Sequence, residues 1–395
     1  MVATTPTSST DTTASRTPAP LSPIAKILTL PGRIVNAVMQ VFGLTGSQSG
    51  PRSLFNWAPI DQVLFAAFRG LENLFGLNRT PTDQPAVSTL TYTGPTDDVT
   101  PTVAQFLNAA AGEYVLGGQP GGLKPFTVNG FQMQLFNPVS GAAGRVWVTP
   151  QNQLIIAYQG TTGGTRLLFH PLIAIPQIIS DGLGIFTRAT PQAFYDSVAF
   201  EKRVEVQARK QGYGTSDIFL TGHSLGAWEA EYVAQQTGRA GVGFEAPGLN
   251  TKVPGNGANS GFVNIETYGD SAAYVSTDLP GLQPFMPPYV PGGGSKPHYG
   301  SIVMLGDPND VNRLHNISKL WGLNPIHDLI FAIDVLLNFN THHLPGMQAY
   351  NLGIAPDPTE FPWYGLPVGP VRDWGSLTIG QLQQAASDTG VLIAP

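Results

Sequence analysis

From about Thr100 onward, short runs of β-forming residues alternate with longer segments whose apolar residues recur every three or four positions. The β-forming runs are GRVWVTP, QLIIAYQG, DIFLTGH, AGVGFEAPG and FVNIETYGD. Helical spacing is seen in PQAFYDSVAFEKRVEVQARKQ and LGAWEAEYVAQQTG. Strands that alternate with helices predict an α/β fold, with a mostly parallel central sheet flanked by helices. Ligands of such sheets bind beyond the carboxyl ends of the strands, so we look for chemistry immediately after each strand.

Composition excludes several classes of function. Charged residues make up 12% of the 395 residues, the net charge is -6, and Lys and Arg form no run, which argues against a nucleic-acid partner. There is no cysteine, so disulfides, a cysteine nucleophile and thiolate metal sites are excluded. No apolar run reaches the ~18 residues of a transmembrane helix, and we expect no integral membrane span.

The composition changes along the chain and suggests four regions. Residues 1–22 are rich in Thr, Ser and Pro and are expected to be disordered. Residues 23–99 contain two apolar stretches with helical spacing and a linker, residues 100–360 carry the α/β pattern, and residues 361–395 are expected to be a C-terminal extension. The start of the sequence lacks the pattern of a standard signal peptide, so export would use another route or a signal outside this sequence.

A G-x-S-x-G motif lies between a strand and a helix. Gly222 and Gly226 flank Ser224 after the β-forming run Ile218–Thr221 and before a helix that starts near Ala227. In this context the motif forms a sharp turn that raises the serine hydroxyl above the sheet at the positive end of the helix dipole. The pattern predicts a catalytic serine.

A serine nucleophile needs a base, and the base needs an acid that fixes its tautomer. In this architecture the acid and then the histidine follow the serine along the chain. Asp270, which directly ends a strand, is the better acid candidate, and Asp278 is the alternative. His342 and His343 lie on a late loop after an apolar helix and are the best base candidates, with His298 as competitor.

A tetrahedral oxyanion needs two backbone N–H donors. The residue after the nucleophile, Leu225, supplies one of them. The run Leu154–Tyr158 ends in a Gln-Gly-Thr-Thr loop, which offers the amide of Thr161 as the second.

Taken in order, these motifs resemble those of the class 3 (fungal-type) lipases, a family of α/β-hydrolases. The resemblance spans roughly residues 126–350 and rests on AYQGTT, LTGHSLGAWEAEYVA, GVGFEAPG, NIETYGDSAAYVSTDLP, KPHYG and THHLPGMQAY. It implies an α/β-hydrolase fold and a triad of Ser224, Asp270 and a histidine of the THH segment. The Leu after His343 favours His343 over His342. The resemblance also makes the Thr161 and Leu225 amides the oxyanion hole and leaves His298 outside the catalytic set.

This chain departs from the family pattern at three positions. Gln159 stands where Arg is common, while Ala227 and Glu245 stand where Gly is common. We expect Gln159 and Glu245 to affect the geometry of their loops rather than the triad.

Two weakly charged segments suggest an apolar substrate. Residues 167–186 are predicted to form either a lid or a buried connection, and the loop 281–294 is predicted to form another wall of an acyl pocket. The sequence therefore predicts a cofactor-free hydrolase without metal, acting on a lipid ester or at a lipid–water interface. Acyl transfer, polyester cleavage and a non-catalytic lipid- or envelope-binding role remain alternatives. The leader resembles that of exported actinobacterial envelope proteins, which implies a secreted or cell-envelope location.

Overall fold

The computed structural model describes residues 89–114, 120, 122–161, 189–280, 297–320, 322–338, 342–354 and 370–394. The tail 1–22, most of the leader 23–99, the segment 167–186 and the loop 281–294 lie outside these ranges. The predictions made for those four segments therefore stay predictions.

The described ranges contain seven α-helices and eleven short strands. The helices are α1 (Val103–Gly112), α2 (Gln192–Lys210), α3 (Leu225–Thr237), α4 (Asp310–Ser318), α5 (Pro325–Asn338), α6 (Pro345–Asn351) and α7 (Ile379–Asp388). The strands are β1 (Lys124–Pro125), β2 (Thr127–Val128), β3 (Phe131–Gln132), β4 (Gln134–Phe136), β5 (Ala143–Val148), β6 (Leu154–Tyr158), β7 (Ile218–His223), β8 (Gly241–Phe244), β9 (Phe262–Thr267), β10 (Ser301–Leu305) and β11 (Leu392–Ile393).

A nine-stranded sheet forms the centre of the molecule. Its strands lie in the order β1-β5-β6-β7-β8-β9-β10-β11, and β4 also pairs with β5. The five strands from β6 to β10 are parallel, whereas β5 and β11 run antiparallel to their neighbours at the two ends. The mostly parallel α/β sheet predicted from the sequence is thus present. Because the parallel strands point the same way, the residues after β6, β7, β8 and β9 meet at one edge.

Both faces of the sheet are covered, as the continuous apolar strands require. On β6, Ile155 and Ala157 face a core that includes residues of α1, α6 and α7. Leu154, Ile156 and Tyr158 face the opposite core, which includes residues of α2 and α3. A third cluster joins β10 to α4 and α5. None of the helices in the described ranges is both long enough and apolar enough to cross a membrane.

The structural unit extends beyond the limits of 100 and 360 expected from the sequence. β11 pairs with β10, and α7 contributes Ile379 and Leu382 to the core, so residues 370–394 complete the sheet and one of its covering layers. Thr89 forms a β-bridge with Ile393, and the Leu90 amide donates to the Leu392 carbonyl at 2.9 Å. A two-residue edge strand carries too little pattern to be recognised in a sequence.

Candidate active site

Ser224 sits on a tight turn between β7 and α3. Its backbone has φ 60° and ψ -130°, a conformation that costs a non-glycine residue about 1–3 kcal/mol. The flanking glycines make the turn possible. A Cβ on Gly222 would lie 2.2 Å from the Gly226 carbonyl group, and a Cβ on Gly226 would lie 2.2 Å from the Tyr158 carbonyl oxygen. The sequence therefore folds here only because both positions lack a side chain.

The loop after β6 packs against this turn. A Cβ on Gly160 would lie 2.4 Å from the His223 carbonyl oxygen, so the loop backbone touches the residue before the serine. Leu225 is the first residue of α3, and its amide has no carbonyl partner one turn earlier in the helix. The structure thus brings the loop that carries Thr161 beside the turn that carries Leu225. Thr161 itself is half-buried and is the last described residue before a gap.

Three sequence-predicted side chains meet above the sheet. The hydroxyl oxygen of Ser224 lies 2.7 Å from Nε2 of His343. Nδ1 of His343 lies 2.9 Å from Oδ2 of Asp270. With the ring proton on Nδ1, His343 donates to Asp270 and accepts from the serine, as a general base must. Of the two adjacent histidines, His343 is the one whose ring contacts Ser224 and Asp270.

Asp270 is fully buried yet ionised. The N–H groups of Ala272 and Ala273 donate to its two oxygens at 3.2 and 3.1 Å. Burial on its own would raise its pKa, but the neighbouring His343 and the hydrogen bonds from His343, Glu245 and Ala273 outweigh burial and hold the pKa at about 2. A stable negative charge therefore faces Nδ1 of His343.

Glu245, the residue after β8, lies in the same cluster. Its carboxyl group accepts from the Thr267 amide at 3.1 Å and from the side chains of Thr267 and Gln348. A further side-chain hydrogen bond joins it to Asp270. Burial and the charge of Asp270 raise the pKa of Glu245 well above its ordinary value, so this carboxyl is neutral. Its backbone has φ 55°, the left-handed conformation that glycine adopts readily. Because Glu245 contacts the acid candidate Asp270, the expectation that it affects its loop rather than the triad residues is wrong.

His223, the second residue of the motif, supports the backbone of His343. Its Nε2 lies 2.6 Å from the His343 carbonyl oxygen, which can only accept, so the ring proton is on Nε2. Nδ1 then accepts from the Tyr114 hydroxyl at 2.7 Å. Burial, followed by the proximity of His343, lowers the pKa of His223 to about 3. The neutral ring of His223 therefore hydrogen-bonds to Tyr114 on one side and to the backbone of the candidate base on the other.

The alternative candidates lie in other contacts. Nε2 of His342 is 3.1 Å from Oδ2 of Asp310, and the ring also approaches Asn338. His298 is fully buried and donates from Nδ1 to Asp278 and from Nε2 to the Ala246 carbonyl, both at 2.8 Å. Burial would lower its pKa, but the charge and hydrogen bond of Asp278 raise it to about 10. The buried His298 and the partly buried Asp278 therefore form an ion pair and are not part of the serine's network.

The end of α5 fixes the loop that carries the acid. The Asn338 side chain accepts from the Ser271 amide at 3.0 Å and donates to the Gly269 carbonyl at 2.6 Å. Sequence reasoning missed this asparagine, as it missed the roles of His223 and Gln348. The only available signal was their closeness in sequence to the motif residues.

Within the described ranges, one group of acidic and histidine side chains is compact enough to share a metal ion. It consists of Glu245, Asp270 and His343, whose ligand atoms lie within 4.8 Å of one another. Hydrogen bonds already link these three side chains, and Nδ1 of His343 carries the proton it donates to Asp270. The group has the chemistry of a proton-transfer network.

Comparisons with known proteins identify no family. No family model and no curated protein matches the chain. Twelve chains of solved structures are similar to it, among them the extracellular lipase LipA from Serratia marcescens. That match has 17% sequence identity and a TM-score of 0.28, and it covers 38% of this chain and 28% of the lipase chain. A TM-score of this size carries no conclusion about activity.

Proposed function

We propose that this protein is an α/β-hydrolase that cleaves carboxylic esters of acyl lipids through an acyl-serine intermediate. The single observation that carries the proposal is the hydrogen-bonded series from the Ser224 hydroxyl through His343 to Asp270. A serine on a strained strand-to-helix turn, joined to a buried histidine and an ionised aspartate, is the arrangement that activates a hydroxyl for attack.

In the proposed reaction His343 takes the Ser224 proton while the serine oxygen attacks the ester carbonyl carbon. The amides of Thr161 and Leu225 stabilise the oxyanion. As the bond to the alcohol oxygen breaks, His343 gives its proton to that oxygen and the alcohol leaves. A water molecule then attacks the acyl-serine, with His343 again as base, and the carboxylic acid is released. Every step uses groups of the chain, the ester and water.

The choice of an acyl lipid as substrate rests on the sequence. The weakly charged segment 167–186 follows the loop that carries Thr161, and the segment 281–294 follows the loop that carries Asp270. Their low charge is suited to contact with apolar acyl chains. The resemblance to class 3 lipases supports the same substrate class. We further propose a secreted or cell-envelope location from the character of the leader, which cell fractionation tests.

The proposal is tested by labelling with a fluorophosphonate, which forms a covalent bond with an activated serine. We expect the wild type to be labelled and Ser224→Ala to be unlabelled, with equal circular dichroism spectra for the two proteins. A folded wild type that resists labelling would indicate a non-catalytic binding module instead.

A panel of p-nitrophenyl esters, triacylglycerols and phospholipids then defines the substrate. Hydrolysis predicts release of free acid that depends on Ser224. Release of the alcohol without free acid, when a second alcohol is present, would identify an acyltransferase.

A further inference from the structure

Glu245 has no part in the reaction proposed above, although it is fully buried next to the acid of the triad. Its left-handed backbone at φ 55° is unfavourable for a residue with a side chain. Burying a carboxyl group is also unfavourable unless its oxygens find partners. A residue that combines both costs beside a reactive group is a candidate for a functional role.

The contacts of Glu245 define that role. Three donor groups from β9 and α6 hold its oxygens: the Thr267 amide, the Thr267 hydroxyl and the Gln348 side-chain amide. Gln348 also donates to the Thr267 hydroxyl oxygen at 3.0 Å, so the three side chains brace one another. The carboxyl group is therefore fixed in place by Thr267 and Gln348, and Asp270 is its remaining hydrogen-bond partner.

Two carboxyl groups can form a hydrogen bond with each other only if one of them holds a proton. Asp270 already accepts from His343 and from two backbone amides, and these bonds favour its ionised form. Glu245 is then the carboxyl group that keeps the proton and donates it. The ionisable groups that face Glu245 are Asp270, His343, Glu266 and Tyr274.

We propose that Glu245 is a positioning residue of the triad, which donates its own proton to Asp270 and holds that carboxylate in line with Nδ1 of His343. This inference rests on the proposed function. The neutral charge of Glu245 matters as well. A second carboxylate beside Asp270 would favour a protonated imidazole at His343, and a protonated imidazole cannot accept the serine proton. Glu245 thus orients the acid without adding a charge.

Two variants distinguish loss of the hydrogen bond to Asp270 from a general loss of structure. Glu245→Gln keeps the shape, supplies an N–H donor to Asp270 and cannot ionise. Its amide nitrogen cannot accept from Thr267 or Gln348 as the oxygen it replaces does, so we expect the variant to keep most of the wild-type kcat at neutral pH. Glu245→Gly suits the positive φ and removes the donor, so we expect kcat to fall by ~10–100-fold, the usual effect of a lost supporting hydrogen bond, with little change in KM. Glu231→Gln is the matched control, because Glu231 is a buried carboxyl whose partners are Tyr299 and His298.

The pH profile gives a readout that a purely structural role would not change. In the wild type, kcat/KM should fall as the pH rises through the raised pKa of Glu245, because the lost proton leaves a second carboxylate beside Asp270. Glu245→Gln should lack that decline, whereas Glu231→Gln should keep it. Glu245→Gly with unchanged kcat would overturn the proposal. So would Glu245→Gln with a loss as large as that of Glu245→Gly.

A spectroscopic measurement separates this proposal from the proposed function. In a difference infrared spectrum of wild type minus Glu245→Gln at neutral pH, we expect the carbonyl stretch of a protonated carboxyl. A carboxylate band in its place would overturn the assignment even if the enzyme is active. Conversely, failure of Ser224 to react with the fluorophosphonate would reject the hydrolase and not the protonated state of Glu245.

Discussion

At the scale of single residues, backbone strain is concentrated at the candidate site. Five non-glycine residues in the described ranges have positive φ. Three of them, Asn129, Asn152 and Asn256, are asparagines, which tolerate this conformation in turns. The other two are Ser224 and Glu245, which follow neighbouring strands and meet in one hydrogen-bonded cluster. Strain that is not explained by turn chemistry thus coincides with the proposed nucleophile, Ser224, and with the proposed positioning residue, Glu245.

His223 allows a prediction for stability against pH. Its pKa is about 3 in the folded protein and 6.5 when unfolded, so the native state binds fewer protons between these values and loses stability as the pH falls through this window. Between pH 6.5 and 4 the loss amounts to at most ~3 kcal/mol. His223→Gln, which keeps an N–H donor for the His343 carbonyl, should show a smaller loss in urea unfolding over the same range.

The control for this prediction is His327→Gln, on α5 and outside the network of Tyr114 and His343. It should lose stability with falling pH as the wild type does. Equal slopes for wild type and His223→Gln would show that His223 is not held neutral in the folded protein.

At the scale of elements, the strand β7, the turn and the helix α3 act as one unit. The turn can be this tight because Gly226 packs directly on the carbonyl of Tyr158 in β6. Gly226→Ala would place a methyl group against rigid backbone, so we expect a loss of about 1–3 kcal/mol or more in unfolding free energy and loss of fluorophosphonate labelling.

Gly214→Ala is the matched control, because its new methyl group would approach side-chain atoms and no rigid backbone: an Asp217 carboxylate oxygen at 3.3 Å and the Ser216 hydroxyl at 3.6 Å. It should keep labelling and most of the stability. Retention of full labelling in Gly226→Ala would show that the turn tolerates a wider geometry than the one described.

Much of this unit could be predicted from the sequence, because its signals are local. A run of β-formers, G-x-S-x-G and a helical repeat specify β7, Ser224 and α3 without any distant contact. Glu245 could not be predicted in the same way. The role of Glu245 depends on contacts with Asp270 and Gln348 of α6 and on a left-handed backbone. The sequence around Glu245 indicates none of these. The antiparallel strand β11 was missed for a similar reason, since its two residues are specified by β10.

At the scale of the whole molecule, the two ends of the described chain stabilise each other. Besides the bridge from Thr89 to β11, Asp98 accepts from the Thr378 hydroxyl at 2.7 Å and from the Gly380 amide at 3.1 Å, at the start of α7. The Gln383 side chain of α7 in turn donates to the Ser301 hydroxyl of β10 at 2.9 Å. These hydrogen bonds connect the first described segment to α7, and α7 to β10 of the parallel sheet.

Asp98→Ala tests this connection. The substitution removes the acceptor of the Thr378 and Gly380 donors and the partner of the Thr100 hydroxyl, so we expect the unfolding free energy in urea to fall by about 1–3 kcal/mol. Asp97→Ala, at the exposed neighbouring position, carries the same change in charge and should stay close to the wild type. The hydrogen bonds of Asp98 lie away from the strand ends that carry Ser224. The folded fraction of Asp98→Ala should therefore keep the wild-type rate of fluorophosphonate labelling. Equal stability for the two variants would mean that β10 and α7 hold the sheet edge without help from the first segment.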